Sequence, residues 1–439
     1  MEGGGMKMET IAKVAKVFQR IWEYISNNRL ISGLILALLS LLFTCIVVFI
    51  PELKLKQAQK ALDAGYTERA NDMFAQILLE HYDNNHVRTE ALAGRAEIYL
   101  NQKAFGRAIQ YANKAIENNE YNGDAYYIRG MAYSLRGEPD KAIEDFSVAL
   151  EHGTKRKEDT YLYRGIEYYS EKRNYDKAIA DFNALLKINP KSILGLSYRG
   201  MAYFDKKEYD LTIADFNTVL KISPKSISGL AYRGLTYIQK KDYDLAIADY
   251  TKVLEIDPNA TIFYLKRGLA YEAKGEYAHV IADYTRAMEI EPNNTLYYSY
   301  RGSTYYDNGD YDLAIADYTK ALEIKPNNAG YYYSRGDAYS ANGDYDLAIA
   351  DFTKALEIDP NDEDSFFYRA IVYWRQGDYN RAIEDCNRTL EIRQDYAMTL
   401  DHAETDIKTA LNIDHNRVTA QMFLDFLRMQ MSSKNTLRS

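Results

Sequence analysis

The sequence predicts an all-α protein, in which a superhelical solenoid of helical hairpins follows an amphipathic helix and one transmembrane helix. Three observations predict this class. Six prolines, from Pro190 to Pro360, recur every 34 residues. The apolar residues between them follow the period of a helix. One run of 21 residues, 30–50, carries no charge, and about 20 apolar residues are enough for a helix to span a bilayer core.

Residues 1–29 predict an amphipathic juxtamembrane segment. Apolar side chains such as Val14 and Phe18 recur at helical spacing, and Lys13, Lys16 and Arg20 fall on the opposite face. A basic amphipathic helix can lie on a membrane surface or pack on another protein. We favour the membrane surface, because the uncharged run begins only a few residues later.

Residues 30–50 predict an uncleaved transmembrane helix. The alternatives are a buried helix and a signal peptide, but the run exceeds the ~7–15 residues of a signal h-region and ends without a small-residue cleavage site. Five basic residues precede it and four follow it, which is a weak positive-inside signal. We therefore expect a single-pass membrane protein with a cytoplasmic N-terminus and an extracytoplasmic repeat array.

Composition excludes several classes of function. With 54 basic and 63 acidic residues the net charge is −9, which argues against a general nucleic-acid binder. Two cysteines cannot form a disulfide framework. The six histidines lack the H-E-x-x-H spacing of a zinc site, and no glycine-rich phosphate-binding loop is present. We expect no metal, no cofactor and no enzymatic activity.

The repeating unit is two short helices, as residues 329–362 illustrate. Gly343 ends the first helix and Pro360 ends the second. Helices this short are marginal alone, so their stability must come from packing. The chain contains 41 tyrosines, and we expect those that recur with the repeat, such as Tyr305 and Tyr339, to lie in the core.

This pattern resembles the tetratricopeptide repeat (TPR) family. The matching residues of one repeat are Tyr332, Gly336, Tyr339, Gly343, Tyr345, Ala348, Phe352, Ala355 and Pro360. Clear repeats begin near residues 89, 123, 158, 193, 227, 261, 295, 329 and 363, and a weaker one begins at 51. The predicted TPR array covers 51–395, and 396–439 predict capping helices and a polar tail.

A charged pair also recurs. Arginines from Arg129 to Arg369 occupy one place on the first helices, and aspartates from Asp145 to Asp385 occupy one place on the second helices. We interpret them as partly buried structural ion pairs. The sequence leaves open whether Asp317 meets Arg301 or Arg335.

The resemblance implies that the first helices line a concave face where ligands lie. The residues expected there are Leu162, Ile166, Tyr169, Leu194, Met201, Phe204, Leu235, Ile262, Leu269, Tyr306, Tyr333 and Trp374. This lining is apolar and aromatic, which favours a groove for an amphipathic or extended apolar segment. The alternative is that several of these side chains pack on neighbouring helices.

The function predicted from these features is that of a membrane-anchored scaffold or adaptor. It would bind a protein or peptide partner in the groove and assemble complexes at a membrane, attached through residues Leu30 to Ile50. Two alternatives stay open: a chaperone-like secretion or assembly factor with several clients, and a non-catalytic subunit of a membrane enzyme complex. The sequence does not fix the oligomeric state.

Overall fold

A computed structural model describes Ser40, residues 50–80 and residues 84–393. Twenty α-helices and no strand occur in residues 50–393 as far as they are described, which confirms the all-α class. The helices are α1 Ile50–Asp63, α2 Thr67–Leu79, α3 Asn85–Asn101, α4 Phe105–Asn118, α5 Gly123–Leu135, α6 Pro139–Glu151, α7 Lys157–Ser170, α8 Tyr175–Ile188, α9 Ile193–Asp205, α10 Tyr209–Ile222, α11 Ile227–Gln239, α12 Tyr243–Ile256, α13 Thr261–Glu272, α14 Tyr277–Ile290, α15 Thr295–Asp307, α16 Tyr311–Ile324, α17 Ala329–Asn342, α18 Tyr345–Ile358, α19 Glu363–Gln376 and α20 Tyr379–Arg393.

Consecutive helices pair into repeats 1 to 10, each with a first helix and a second helix. The chain divides into two compact units between Ile222 and Ser223. The first unit holds α1 to α10 and the second holds α11 to α20. In the first unit each first helix also contacts the first helix of the next repeat, and in the second unit α15 contacts α17 and α17 contacts α19. The first helices of a unit therefore share one face.

The repeats begin close to the expected residues, with one shift. The first helix of repeat 2 begins at Asn85 instead of near 89. The side chain of Asn84 accepts hydrogen bonds from the backbone N–H groups of His86 and Val87, so it caps the helix at this earlier place. The weak repeat at 51 also forms a complete hairpin, α1 and α2.

The predicted localisation is contradicted. No helix in the part of the chain that the structure describes is long and apolar enough to cross a membrane. Of the expected span 30–50, only Ser40 and Ile50 are described, and Ile50 begins α1. Helix α1 carries charged residues such as Lys54 and buries Leu55 and other apolar side chains on one face, so it packs as a helix of repeat 1.

Other terminal predictions lie outside the described residues. These are the amphipathic segment 1–29, most of the expected span, and the capping helices and tail over 396–439. The array boundaries at 51 and 395 stay predictions.

The core of a hairpin depends on close approach of its two helices at a small residue. In repeat 4 a Cβ atom on Gly165 would lie only 2.6 Å from the ring of Phe182. Repeat 10 instead has Ala370 and Cys386, and both are buried. The smaller cysteine leaves room for the alanine methyl group, so the two departures from the repeat pattern compensate each other.

The recurring tyrosines of the first helices lie differently from the expectation. Only Tyr373 is buried, and its equivalents such as Tyr305 and Tyr339 are half-buried. They pack beside the repeated arginine, with the guanidinium of Arg301 5.7 Å from the centroid of Tyr305. These rings cover a charged group and contribute cation–π attraction, which is why they stay at the edge of the core.

The repeated arginine and aspartate pair within one repeat. Arg301 Nε donates to Asp317 Oδ2 at 2.8 Å, and Arg301 Nη2 donates to Oδ1 at 2.7 Å. A third donor, Nη1, reaches Thr285 Oγ1 of the preceding repeat at 2.7 Å. We call this arrangement the arginine clamp. It joins a first helix to the second helices of two successive repeats.

The clamp recurs through the described array. The bidentate Arg–Asp pair is present from Arg129–Asp145 in repeat 3 to Arg369–Asp385 in repeat 10. The third acceptors are Asn113, Ser147, Asn183, Thr251, Thr285, Thr319 and Thr353. Asp317 is only 5% exposed, as the structural interpretation of these pairs requires.

The loop inside each of the ten described hairpins contains one residue with a left-handed backbone. Gly309 and Gly343 have φ of 86° and 90°. Lys207 and Lys241 take the equivalent places with φ of 62°. An equivalent backbone hydrogen bond closes these four turns. In the Lys207 turn, for example, the N–H of Glu208 donates to the carbonyl oxygen of Tyr203 at 2.8 Å. The lysines therefore adopt a conformation that suits glycine.

We expect Asp317→Ala to lower the free energy of unfolding by about 3 kcal/mol, because it leaves the Arg301 charge buried without its partner. Thermal unfolding followed by circular dichroism measures the effect. Glu323→Ala on the same helix is the control, because it breaks only an exposed ion pair with Lys320. A loss at Asp317 no larger than at Glu323 would contradict the structural role of the clamp.

We expect Lys207→Gly to stabilise its hairpin by about 0.5–1 kcal/mol, because glycine adopts the left-handed backbone without strain. The gain is limited because glycine also raises the conformational entropy of the unfolded chain. Gly309→Ala should destabilise its own hairpin by about 1 kcal/mol for the converse reason. Hydrogen exchange of the α9–α10 and α15–α16 amides measures each local opening free energy. Equal protection in Lys207→Gly and wild type would show that the lysine turn is unstrained.

Candidate functional site

The expected ligand-binding residues lie on the first helices with unequal exposure. Leu194, Ile262 and Leu269 are 55%, 47% and 41% exposed, and Leu162 is buried. The remaining eight are half-buried: Ile166, Tyr169, Met201, Phe204, Leu235, Tyr306, Tyr333 and Trp374. We call the surface formed by the first helices of one unit its first-helix face. Binding of a ligand there stays a prediction.

Part of the expected set also packs on neighbouring side chains. Leu162, Ile166 and Tyr169 belong to the apolar cluster around Phe182 and Leu185. These three side chains therefore pack on neighbouring residues, which is the alternative to ligand contact that the sequence left open. The exposed members Leu194, Ile262 and Leu269 are the ones left open to a partner.

The first unit has a cavity of about 390 Å³ on this face. Its lining residues come from α1, α3, α5 and the loop before α7: Glu52, Leu55, Lys56, Gln59, His86, Glu90, Ala93, Gly94, Glu97, Asp124, Ile128, Lys155 and Arg156. Opposite charges meet inside it, with Lys155 Nζ 3.0 Å from Glu90 and Arg156 Nη2 2.5 Å from Glu97. Acids of this cavity are thus paired with the chain's own bases.

The second unit has carboxylates without such partners. Glu272 lies on α13, Asp307 on α15 and Asp337 on α17. Apart from the clamp arginines, the bases on the first helices of the second unit are Lys266 on α13 and Arg375 on α19. Among the described residues, no basic nitrogen lies within the 4.0 Å ion-pair distance of the three carboxylates.

Burial acts against ionisation of these acids. It raises the pKa of Asp337 to about 6, although a hydrogen bond from Tyr306 and the charge of Arg375 act in the opposite direction. Burial also raises the pKa of Glu272, and the Asp307 charge adds to that increase. Partial burial raises the pKa of Asp307 itself. This face thus holds negative charge in a poorly solvated place.

Two tyrosines, Tyr306 and Tyr333, lie close to Asp337. The ring centroids of Tyr333 and Tyr368 lie 5.5 Å apart at 81°, and those of Tyr306 and Tyr311 lie 5.4 Å apart. Burial raises the pKa of both Tyr306 and Tyr333, and the Asp337 charge contributes. The Asp337 carboxylate therefore accepts a hydrogen bond from the Tyr306 hydroxyl and lies close enough to Tyr333 to raise its pKa.

One buried hydroxyl near Glu272 is unsatisfied. Among the described residues, Tyr284 is the residue with a buried side-chain polar atom that has no hydrogen-bond partner. A Cβ atom on Gly268 would lie 3.2 Å from this oxygen, and Glu272 follows one turn later on the same helix. Burial raises the pKa of Tyr284, and the Glu272 charge is the next cause. The hydroxyl thus lies beneath the first-helix face, beside Glu272.

Sequence reasoning did not find these polar residues. Leu235, Leu269 and Ile371 occupy the same place on their first helices as Asp337 does on α17. Ser303 is also polar at this place, so the available signal was the one charged residue among the five first helices of the second unit. No comparable signal marks Tyr284, because tyrosine and phenylalanine alternate freely at its place.

The arrangement suits binding. Carboxylates and tyrosine faces bind ammonium and guanidinium groups. The part of the chain that is described contains no group of three His, Cys, Asp or Glu side chains placed to hold a metal ion.

Sequence comparison identifies the repeats. Family models described as TPR repeat match residues 234–275 and 302–343. Models described as tetratricopeptide repeat match residues 55–123, 111–144, 163–227, 262–294, 329–362 and 352–384. Together they cover most of the array. No curated protein matches this chain.

One solved structure shows the same fold, and others are similar to parts of this chain. The C-terminal part of a TPR repeat-containing protein from Cytophaga hutchinsonii is 21% identical and matches 55% of this chain and 98% of its own, with a TM-score of 0.50. A tetratricopeptide repeat protein from Parabacteroides merdae is 21% identical over 60% and 99% of the two chains, with a TM-score of 0.42. MamA is 26% identical over 37% and 96%, with a TM-score of 0.35.

We expect Asp337→Asn to stabilise the protein near neutral pH by at most about 3 kcal/mol, since each pKa unit corresponds to about 1.4 kcal/mol. The raised folded-state pKa means that the stability contributed by Asp337 is lost as pH rises from about 4 through about 6. Thermal unfolding at both pH values measures the difference. Asp312→Asn, at an exposed site, is the control. Equal stability of Asp337→Asn and wild type at neutral pH would contradict the raised pKa.

Proposed function

Because the chain belongs to the tetratricopeptide repeat family, we propose that it is a scaffold or adaptor that binds a protein or peptide partner along its first-helix faces. Its role is to bring proteins together in a complex. The residues of these faces act as contact residues, and the chain itself catalyses no reaction.

Exposed apolar side chains on the first helices carry this proposal. Leu194 in the first unit and Ile262 and Leu269 in the second keep about half of their surface in contact with water. Exposed apolar surface next to aromatic side chains is typical of a protein-binding surface. An amphipathic helix or an extended segment with apolar side chains would bury it.

The contact residues are those predicted from the sequence, with a division of roles. Leu194, Ile262 and Leu269 would contact the partner directly. The half-buried aromatic residues Tyr306, Tyr333 and Trp374 would support the floor on which it lies. Buried Leu162 contributes packing and not contact.

A photo-crosslinking amino acid at Leu269 should give a discrete adduct in an extract of the cells that make the protein. The same substitution at Leu313 is the matched control, because Leu313 is equally exposed at 49% but lies on the second helix α16. We expect adducts at Leu269 that are absent at Leu313, as seen by gel shift and mass spectrometry.

The adduct pattern separates the possible roles. One or a few adduct bands at Leu269 support an adaptor with defined partners. A continuous smear of many products indicates the chaperone-like alternative. Equal labelling at Leu269 and Leu313, or none at either, would contradict binding at the first-helix face.

A further inference from the structure

We propose that this chain associates with a second copy of itself through two oppositely charged surfaces at the ends of its second helices. The basic edge lies at the ends of α8 and α10 and consists of Lys187, Ile188, Lys191, Lys221 and Ile222. The acidic edge lies at the ends of α12 and α14 and consists of Glu255, Ile256, Asp257, Glu289 and Glu291. The contact involves second helices and the loops after them, so it is separate from the first-helix faces.

The second helices of repeats 4 to 9 end in one of two ways. Helix α8 ends in Lys187 and Ile188, and α10 ends in Lys221 and Ile222. In the next four second helices the lysine is replaced by Glu255, Glu289, Glu323 and Glu357, each followed by isoleucine. One place in the repeat therefore carries positive charge in two successive repeats and negative charge in the four that follow.

The loops that follow these helices locate the strongest contrast. Lys191 follows α8, whereas Asp257 follows α12 and Glu291 follows α14. In repeat 8 the corresponding residue is Lys325, which opposes the charge of the helix end before it. Among repeats 6 to 9, repeats 6 and 7 are thus the successive pair in which both the helix end and the loop are acidic.

The lysines of the basic edge have no ion-pair partner within their own chain. Lys187, Lys191 and Lys221 are exposed, and no described carboxylate lies within 4.0 Å of their ammonium groups. Three residues earlier on the two helices stand the uncharged Ala184 and Thr218. The three charges are therefore available to another molecule.

The glutamates of the acidic edge are unfavourable for the helices that carry them. The C-terminus of a helix carries partial negative charge, so a lysine in the last turn stabilises the helix and a glutamate there destabilises it. Glu255 is exposed and has no described ion-pair partner. Glu289 has only an exposed pair with Arg286, and such a pair contributes little. The stability of α12 and α14 therefore does not account for these glutamates, whereas a contact with a basic surface does.

Both edges expose apolar surface beside their charges. Ile188 and Ile222 are 50% and 37% exposed on the basic edge, and Ile256 is 37% exposed on the acidic edge. Packing of these isoleucines against each other removes apolar surface from water. The flanking charges make each edge attract the opposite edge and repel its own kind.

The repeat itself matches the spacing of the two edges. Lys187 and Lys221 occupy equivalent places in successive repeats, and so do Glu255 and Glu289. Stacking of the same kind of hairpin sets the distance between the two charges on each edge, so two lysines of one copy can meet two glutamates of another. Because the two edges are different surfaces, association can continue from copy to copy.

Sedimentation velocity of the full-length protein tests the association. We expect the average sedimentation coefficient to rise between about 10 and 200 µM protein, because a small charged contact gives a dissociation constant in the micromolar range. The association should weaken about fivefold or more as the salt concentration rises from about 0.05 to 0.5 M.

Two double variants locate the contact. Lys187→Glu with Lys221→Glu reverses the basic edge, and Glu255→Lys with Glu289→Lys reverses the acidic edge. Each substitution introduces a residue type that other second helices already carry at that place, and circular dichroism checks that both variants are folded. Each variant alone should stay monomeric where the wild type associates. An equimolar mixture should associate again, because the first variant keeps the acidic edge and the second keeps the basic edge.

The matched control is Glu323→Lys with Glu357→Lys. It reverses the same place in repeats 8 and 9 and changes the net charge as much as the reversal of the acidic edge does. It should change the dissociation constant less than about twofold, because these residues lie outside the acidic edge.

The proposal is overturned if the wild type stays monomeric, if either reversed variant alone associates like the wild type, if the mixture does not associate, or if the control loses association equally. A monomeric wild type that binds a peptide of repeated Leu-Glu-Ser, when the variant with a reversed basic edge does not, would assign that edge to an acidic segment of another protein. Crosslinking at Leu269 tests the proposed function separately, because Leu269 lies on the first helix α13.

Discussion

The arginine clamp is the interaction on which the rest of the structure depends. A guanidinium such as that of Arg301 is taken largely out of water, so it must keep all of its strong partners. Two of its nitrogens bind Asp317 of the same repeat, and a third binds Thr285 of the preceding repeat. This geometry fixes the register of a hairpin and the stacking of two hairpins at once. The first helices are then held with one side free to contact a partner.

With the scaffold fixed in this way, the first-helix faces of both units hold carboxylates that are partly or fully buried, such as Glu167 in the first unit and Asp337 in the second. The first unit pairs Glu90 and Glu97 with bases of its own loop before α7. In the second unit Asp337 accepts a hydrogen bond from Tyr306, and the buried hydroxyl of Tyr284 has no hydrogen-bond partner among the described residues. An unsatisfied buried polar group lowers the stability of a fold.

Several features were predictable because their signals are local. The period of Pro190 to Pro360 and the helical spacing of apolar residues predicted the hairpins and nearly all of their starts. The predicted site residues did fall on the first helices, but their exposure varies widely. Leu162 is buried, whereas about half of the Leu194 side chain is exposed to water. The membrane localisation was contradicted by the described helices, since α1 packs as a charged amphipathic helix.

The sequence by itself determined the repeat, the helices and the place of each glycine or proline that ends them, because these depend on neighbours within one repeat. Only the tertiary structure decided that Asp317 meets Arg301 and not Arg335, and that the tyrosines near the clamp lie at the edge of the core. It also decided which carboxylates are paired. Those outcomes depend on contacts between helices that are distant along the chain, where small differences in position decide whether a charge finds a partner.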